Sequence, residues 1–168
     1  MKAKFVLRSM LNTVAIFVIT TVHHVYGAYL YNSPWRIHAV LVSGVSTVVI
    51  AGSLWLFRRY STAAVGQFAF WSFVVLTVLV PVLGFGMFEG VYNHGLKDAL
   101  YLINAPRSLM QRLFPAPMYE MPNNYFFEIT GLLQIVPGFL AGRYLYRTVC
   151  EDAGASGSRP GQVSAVSH

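Results

Sequence analysis

The sequence predicts an all-α integral membrane protein, a bundle of four spanning helices. Three observations predict it. Of the 168 residues, 55% are hydrophobic and only 11% are charged, whereas soluble domains carry roughly 25% charged residues. Four separate stretches are each long and apolar enough to cross a hydrocarbon core, which takes about 20 residues. Turns and segments rich in Pro, Asn and charge lie between them. This composition excludes a disordered chain, a coiled coil and an ordinary water-soluble domain.

The first span covers residues 7–31, around NTVAIFVITTVHHVYGAYLY. It opens on MKAKFVLR like a secretion signal, but its apolar run is too long and His23-His24 interrupts its end, so it reads as a retained helix. The second span, residues 37–57, contains Gly44, Ser46, Ala51, Gly52 and Ser53, small residues that suit close helix packing in lipid. Residues 65–92 and 124–149 form spans three and four. Pro81 and Pro137 fall inside them and should kink both.

Asn32-Ser33-Pro34-Trp35 is a short turn, and residues 58–64 are another. The long connection, residues 93–123, mixes Leu96, Leu100, Ile103, Leu109, Met110 and Leu113 with Lys97, Asp98, Arg107 and Arg112. It reads as two short amphipathic segments, broken at Pro106, lying along the outer membrane surface. Pro115, Pro117 and Pro122 prevent long regular structure after them. Residues 1–150 thus form one transmembrane domain. Residues 151–168, EDAGASGSRPGQVSAVSH, form a polar Gly/Ser-rich tail expected to be disordered and cytoplasmic.

Basic residues set the orientation. Lys2, Lys4, Arg8, Arg58, Arg59, Arg143, Arg147 and Arg159 fall on one side; Arg36, Lys97, Arg107 and Arg112 fall on the other. The positive-inside rule puts the first group, and with it both termini, in the cytoplasm. A plasma membrane of bacterial inner-membrane type is the expected location. The basic residues are scattered rather than gathered in a stripe, which argues against nucleic acid as a partner. The single cysteine, Cys150, excludes an internal disulfide and a cysteine-rich metal site.

The titratable groups are lopsided. His23, His24, His38, Glu89, His94, Glu120 and Glu128 all fall on the outer side, and the inner half of the spans has no histidine or carboxylate. With a rise of 1.5 Å per residue, His24 lies roughly 10 Å below the outer end of span one, and Glu89 and Glu128 roughly 6 Å below theirs. A charge facing lipid there costs a few kcal/mol, so these groups should face one another or a wet cavity. His24, Glu89, His94 and Glu128 are the candidate metal ligands, and His23, His38, Tyr92, Asn93 and Asn124 the shell around them.

Two kinds of chemistry fit. Mixed His and Glu donors suit iron, copper or zinc with an open position; haem held by two histidines ranks below these. The spacing is not diagnostic, since Glu89 and His94 are five residues apart and a straight α-helix would need a break at Gly90 to align them. In the neighbouring pair His23-His24 the rings point about 100° apart, so one is expected to ligate and the other to pack. Without a metal, Glu89 and Glu128 could act as a general acid–base pair tuned by His24.

The favoured function is therefore a membrane-embedded enzyme acting on an apolar or lipid-like molecule, an oxidoreductase or an isomerase or cyclase. The alternative is a non-catalytic ion- or proton-binding protein, or an accessory subunit of a larger membrane complex or transporter. The bilayer, an apolar small molecule and further copies or subunits are the expected partners. A structural role for the carboxylates, paired with Arg36, Lys97 or His94, competes with both readings. There is no GxSxG, P-loop, GxGxxG or CxxC.

Overall fold

A computed structural model describes residues 3–116 and 118–157. It is all-helical, and four of its helices are long and apolar enough to cross a membrane. They are α1 (Ala3–Leu30), α2 (His38–Arg59), α3 (Ala64–Leu102), and the pair α5 (Tyr125–Leu133) and α6 (Ile135–Gly157), which together make the fourth. The short helix α4 (Arg107–Leu113) lies between α3 and α5. Helix α6 runs through Gly157; residues 158–168, most of the segment expected to be a disordered tail, lie outside the described residues.

Asparagine stops two of these helices in the same way. Asn32 and Asn104 take left-handed backbone conformations, φ 46° and 54°. In each case the next amide bonds back to a carbonyl of the last turn, Ser33 to Ala28 and Ala105 to Leu100, both at 3.0 Å. This is the Schellman stop, in which Asn replaces the usual glycine. A turn of 3-10 helix, Pro34–Ile37, then leads into α2.

Helix α3 is the element that departs most from expectation. It was expected to end at residue 92, but it continues to Leu102, because nothing between Tyr92 and Asn104 interrupts it. His94, Lys97 and Asp98 therefore belong to the long helix rather than to a surface connection. Of the two expected amphipathic segments, only the second, α4, stands apart; it starts after Pro106 and buries Met110.

From Val78 to Leu96, α3 is also wound wide, as π-helix, in which an amide pairs with the carbonyl five residues back. Pro81 lies near the start of this stretch. In an α-helix its ring would clash with the carbonyl four residues back, and the wider register removes that conflict. In the fourth span Pro137 has no amide to bond to Leu133, and the helix breaks at Gln134 between α5 and α6.

α1 packs along α6, α2 along α3, and the wide part of α3 along α6. The last contact is close because both helices present glycine: a methyl built on Gly138 would lie 2.7 Å from the Gly86 Cα. At the end carrying Arg58 and Arg59 the helices meet through an apolar core of Val6, Ile16, Phe17, Ile50, Leu54, Phe57, Phe70, Phe73 and Leu145. At the other end, where α1 stops at Asn32, they meet through histidines and carboxylates.

Candidate metal centre

Three helices supply the cluster. α1 contributes Thr20, His23 and His24. The wide stretch of α3 contributes Glu89, Asn93 and His94, and Lys97 follows it. α5 contributes Glu128 and Thr130, and its N-terminus is capped by Asn124, whose side chain accepts from the Phe127 amide at 3.0 Å. The wide winding explains how Glu89 and His94 meet. Residues five apart share a face when amides bond five residues back, so no break at Gly90 is needed. His94 Nε2 lies 3.7 Å from Glu89 Oε1.

Three imidazoles converge on that one oxygen. His23 Nε2 is 3.5 Å from Glu89 Oε1 and His24 Nε2 is 3.7 Å from it. His23 Nε2 and His94 Nε2 are 3.2 Å apart. The other carboxylate oxygen, Oε2, accepts from Asn93 Nδ2 at 2.6 Å. The two rings of the His23-His24 pair stand edge to face with centroids 5.0 Å apart, and both reach Glu89. Neither simply packs, because α3 lies against the groove between them.

The far side of each ring fixes its tautomer. His24 Nδ1–H donates to the Thr20 carbonyl at 3.1 Å. His94 Nδ1–H donates to Glu128 Oε2 at 2.6 Å. His23 Nδ1 lies 3.0 Å from Thr130 Oγ1. The Thr130 hydroxyl donates to carbonyls of its own helix, Phe126 at 2.8 Å and Phe127 at 3.0 Å. It is thus left to accept from His23 Nδ1–H. When neutral with Nδ1 protonated, each ring presents an unprotonated Nε2 to the same carboxylate oxygen. His23 is fully buried, and His94 and His24 are 2% and 6% exposed.

These residues redistribute the roles expected from sequence. His23, expected in the shell, stands at the centre with Glu89 and His94, and these three could share one ion. Glu128, expected as a ligand, bonds to the back of the His94 ring and orients it. His94, Asp98 and Glu128 also lie close enough to share an ion. That space is already served by a cation: Lys97 Nζ is 3.2 Å from Glu128 and 4.0 Å from Asp98. Lys97, 2% exposed, also donates to the Glu120 carbonyl at 2.9 Å. The paired-carboxylate reading thus describes Glu128, while Glu89 has no lysine or arginine partner among the described residues.

Tyr92 and Asn124 stand outside the centre. The Tyr92 hydroxyl donates to the Leu113 carbonyl and ties α4 to α3, and Asn124 accepts from the Tyr26 hydroxyl. His38 Nδ1–H donates to the Trp35 carbonyl at 2.6 Å, and the ring stacks on Trp35. Of the histidine pairs open to haem, His24 with His38 or with His94, the second has the Glu89 carboxylate within 3.7 Å of both rings.

A cavity of about 310 Å³ adjoins the centre. Its wall includes His24, Glu89 and His94, with Phe85, Phe88, Trp35 and Met118, and Arg36, His38 and Lys97. Tyr119 also lines it, and burial holds its hydroxyl above the usual tyrosine pKa, so it stays protonated there. Sequence reasoning had no signal for Thr130, whose part is to orient His23; only the fold brings α5 against α1. No family model, curated protein or solved structure matches this chain.

Proposed function

We propose that this protein is an integral membrane metalloprotein whose centre is built by His23, His94 and Glu89, with His24 beside them against Glu89. One observation carries the reading: three Nε2 atoms and one carboxylate oxygen converge, while each ring's other nitrogen is held by a partner behind it. Metal-bound histidines are held in this way, with the second nitrogen donating to a carboxylate or carbonyl that fixes ring orientation. The spacings agree. Ligand bonds of 2.0–2.2 Å in a tetrahedral site put neighbouring donor atoms about 3.4 Å apart. Here they are 3.2 Å for His23–His94 and 3.5 Å for His23–Glu89. Imidazole and carboxylate donors without thiolate suit iron, copper or zinc.

Membrane insertion is supported by which residues face outward. Leu7, Leu11, Val18, Leu41, Val45, Val48, Phe68, Val75, Leu79, Ile129, Val136 and Phe139 are exposed on the long helices, while His23, His24, His94, Ser9, Thr13, Thr20 and Thr77 are buried. An apolar exterior over a polar interior is stable in lipid and not in water. The basic residues orient the Arg58 end towards the cytoplasm. The cavity then opens in the outer half of the bilayer. A molecule entering there meets aromatic walls and, at the inner end, the face of the centre bearing Glu89. The favoured activity is metal-assisted chemistry on an apolar or lipid-like molecule. Bound metal would supply Lewis acidity or electron transfer; Asn93 and Thr130 hold Glu89 and His23 in place.

A second reading rests on the 3.2 Å His23–His94 contact, which also fits one proton shared between two imidazoles. The protein would then be an ion- or proton-binding subunit without catalysis. Elemental analysis of detergent-purified protein decides between them. About one iron, copper or zinc per chain is expected; a metal-free preparation that also takes up none of the three on titration would leave the shared-proton reading.

A further inference from the structure

We infer that the cavity takes an amphiphile with a single oxyanion headgroup, held by the Arg36 guanidinium. The inference deepens the reading above and rests on it for the position of the ligand beside the centre. Arg36 lies on the turn between α1 and α2, lines the cavity and is only 5% exposed. A buried cation needs a partner, because desolvation costs several kcal/mol per ion. Among the described residues no carboxylate lies within ion-pairing reach of it. Its Nε donates to Ser33 Oγ at 2.8 Å. Its terminal amines have no acceptor among the described residues.

Aromatic rings fix the guanidinium in place. Its carbon lies 5.0 Å from the Trp35 ring centre, 5.3 Å from Phe127 and 5.5 Å from Tyr31. Such contacts stabilise a cation and hold the plane steady, but they leave the in-plane donors unused. A fixed fork with vacant donors matches a carboxylate or phosphate, which it can grip with two parallel hydrogen bonds. Asn93 Oδ1, on a residue that also lines the cavity, is buried and without a hydrogen-bond partner. It offers an acceptor to a hydroxyl on the same ligand.

Phe85, Phe88 and Met118 supply an apolar part of the wall. A volume of about 310 Å³ is at the low end for ligand pockets and admits one chain, not the two of a phospholipid. Glu89 and Glu120 also line the cavity, Glu89 faced by three imidazoles and Glu120 half-buried. Arg36 is buried with no carboxylate partner among the described residues, and its free donors are what call for an anion.

Short-chain probes test this on the purified protein in maltoside micelles: hexanoate, hexyl phosphate, hexanol, acetate and inorganic phosphate, each followed by calorimetry. Hexanoate or hexyl phosphate should bind at least tenfold more tightly than hexanol, and more tightly than acetate or inorganic phosphate. Whichever of the two binds better identifies the headgroup. Arg36→Gln should lose tenfold or more, and Arg36→Lys should retain part, having the charge without the fork. If Arg36→Gln fails to fold, Arg36→Lys and the hexanol comparison decide alone. Equal binding of hexanol and both anions, or unchanged binding in Arg36→Lys, overturns the inference. Metal content is measured on the same samples. Arg36-dependent binding to a protein that takes up no metal keeps the anion site and removes the metal centre; full metal with no anion binding does the reverse.

Discussion

The two ends of the helix assembly hold together by different physics. At the arginine end, Phe57, Phe70, Phe73, Ile50 and Leu145 meet in an apolar core. At the histidine end α1, α3 and α5 meet through hydrogen bonds and close polar contacts of 2.6–3.7 Å among His23, His24, Glu89, His94, Glu128 and Lys97. Apolar contacts are non-directional and tolerate rearrangement at constant volume. A buried polar network tolerates little, since one missing partner strands the rest. The arginine end is therefore built for packing, and the histidine end for a geometry. Substitutions at the two ends should separate stability from site occupancy.

Glu89→Gln should have the largest effect at the site. It keeps the volume and the Asn93 contact but removes the charge on which three imidazoles converge. Metal content should fall from about one per chain to near zero, with helicity by circular dichroism unchanged. Full metal retention in Glu89→Gln would remove Glu89 as a ligand, and with it the geometry on which the contrast between the two ends rests.

Lys97→Met should act on stability instead. Lys97 is buried against Glu128, and breaking a buried pair from one side costs about 3–5 kcal/mol. Thermal unfolding in detergent should show a lower Tm. The double variant Lys97→Met with Glu128→Gln should lose less than the two single losses combined, because no charge is then left unpaired. Additive losses would mean that Lys97 and Glu128 are independent of each other.

Much of this contrast was legible in the sequence, and what was not has physical causes. Hydropathy located four long helices, and the placement of histidines and glutamates on one side located the polar end. The roles within that end depended on Pro81. Its conflict with an α-helical carbonyl accompanies the switch of Val78–Leu96 to wide winding, and that winding puts Glu89 and His94 on one face. An assumed α-helix put them on different faces and left His94 and Lys97 in a surface loop. Both rings of the His23-His24 pair lie within 3.7 Å of Glu89, a convergence that the angle of about 100° on one helix does not reveal. Arg36 was legible only as a topology marker and a candidate carboxylate partner; its place among Trp35, Phe127 and Tyr31 comes from the fold.

Thr130→Val tests a subtler part of the geometry. It removes the acceptor behind His23 while preserving shape, and the other bonds of the hydroxyl stay within its own helix. Loss of such an outer partner typically weakens metal binding 10–100-fold. Thr130→Ser should restore affinity, since the hydroxyl and not the methyl is needed. Competition with a chromophoric chelator measures both. Equal affinity in Thr130→Val and the parent would mean that the His23 tautomer is set elsewhere.

The smallest effect at the site should come from the opposite end. Phe73 is fully buried in the apolar core, and truncating such a ring costs about 3–5 kcal/mol in water-soluble cores. In a bilayer the cost should be lower, because lipid is as apolar as the core and only packing contacts are lost. Phe73→Ala should therefore lower Tm modestly and leave metal content and chelator affinity unchanged. α1 and α3 run through both ends, so this is a strict test of their independence. If loosening the apolar end also released the metal, the histidine geometry would depend on the packing below it, and the molecule would be a single cooperative unit rather than a rigid base carrying a site.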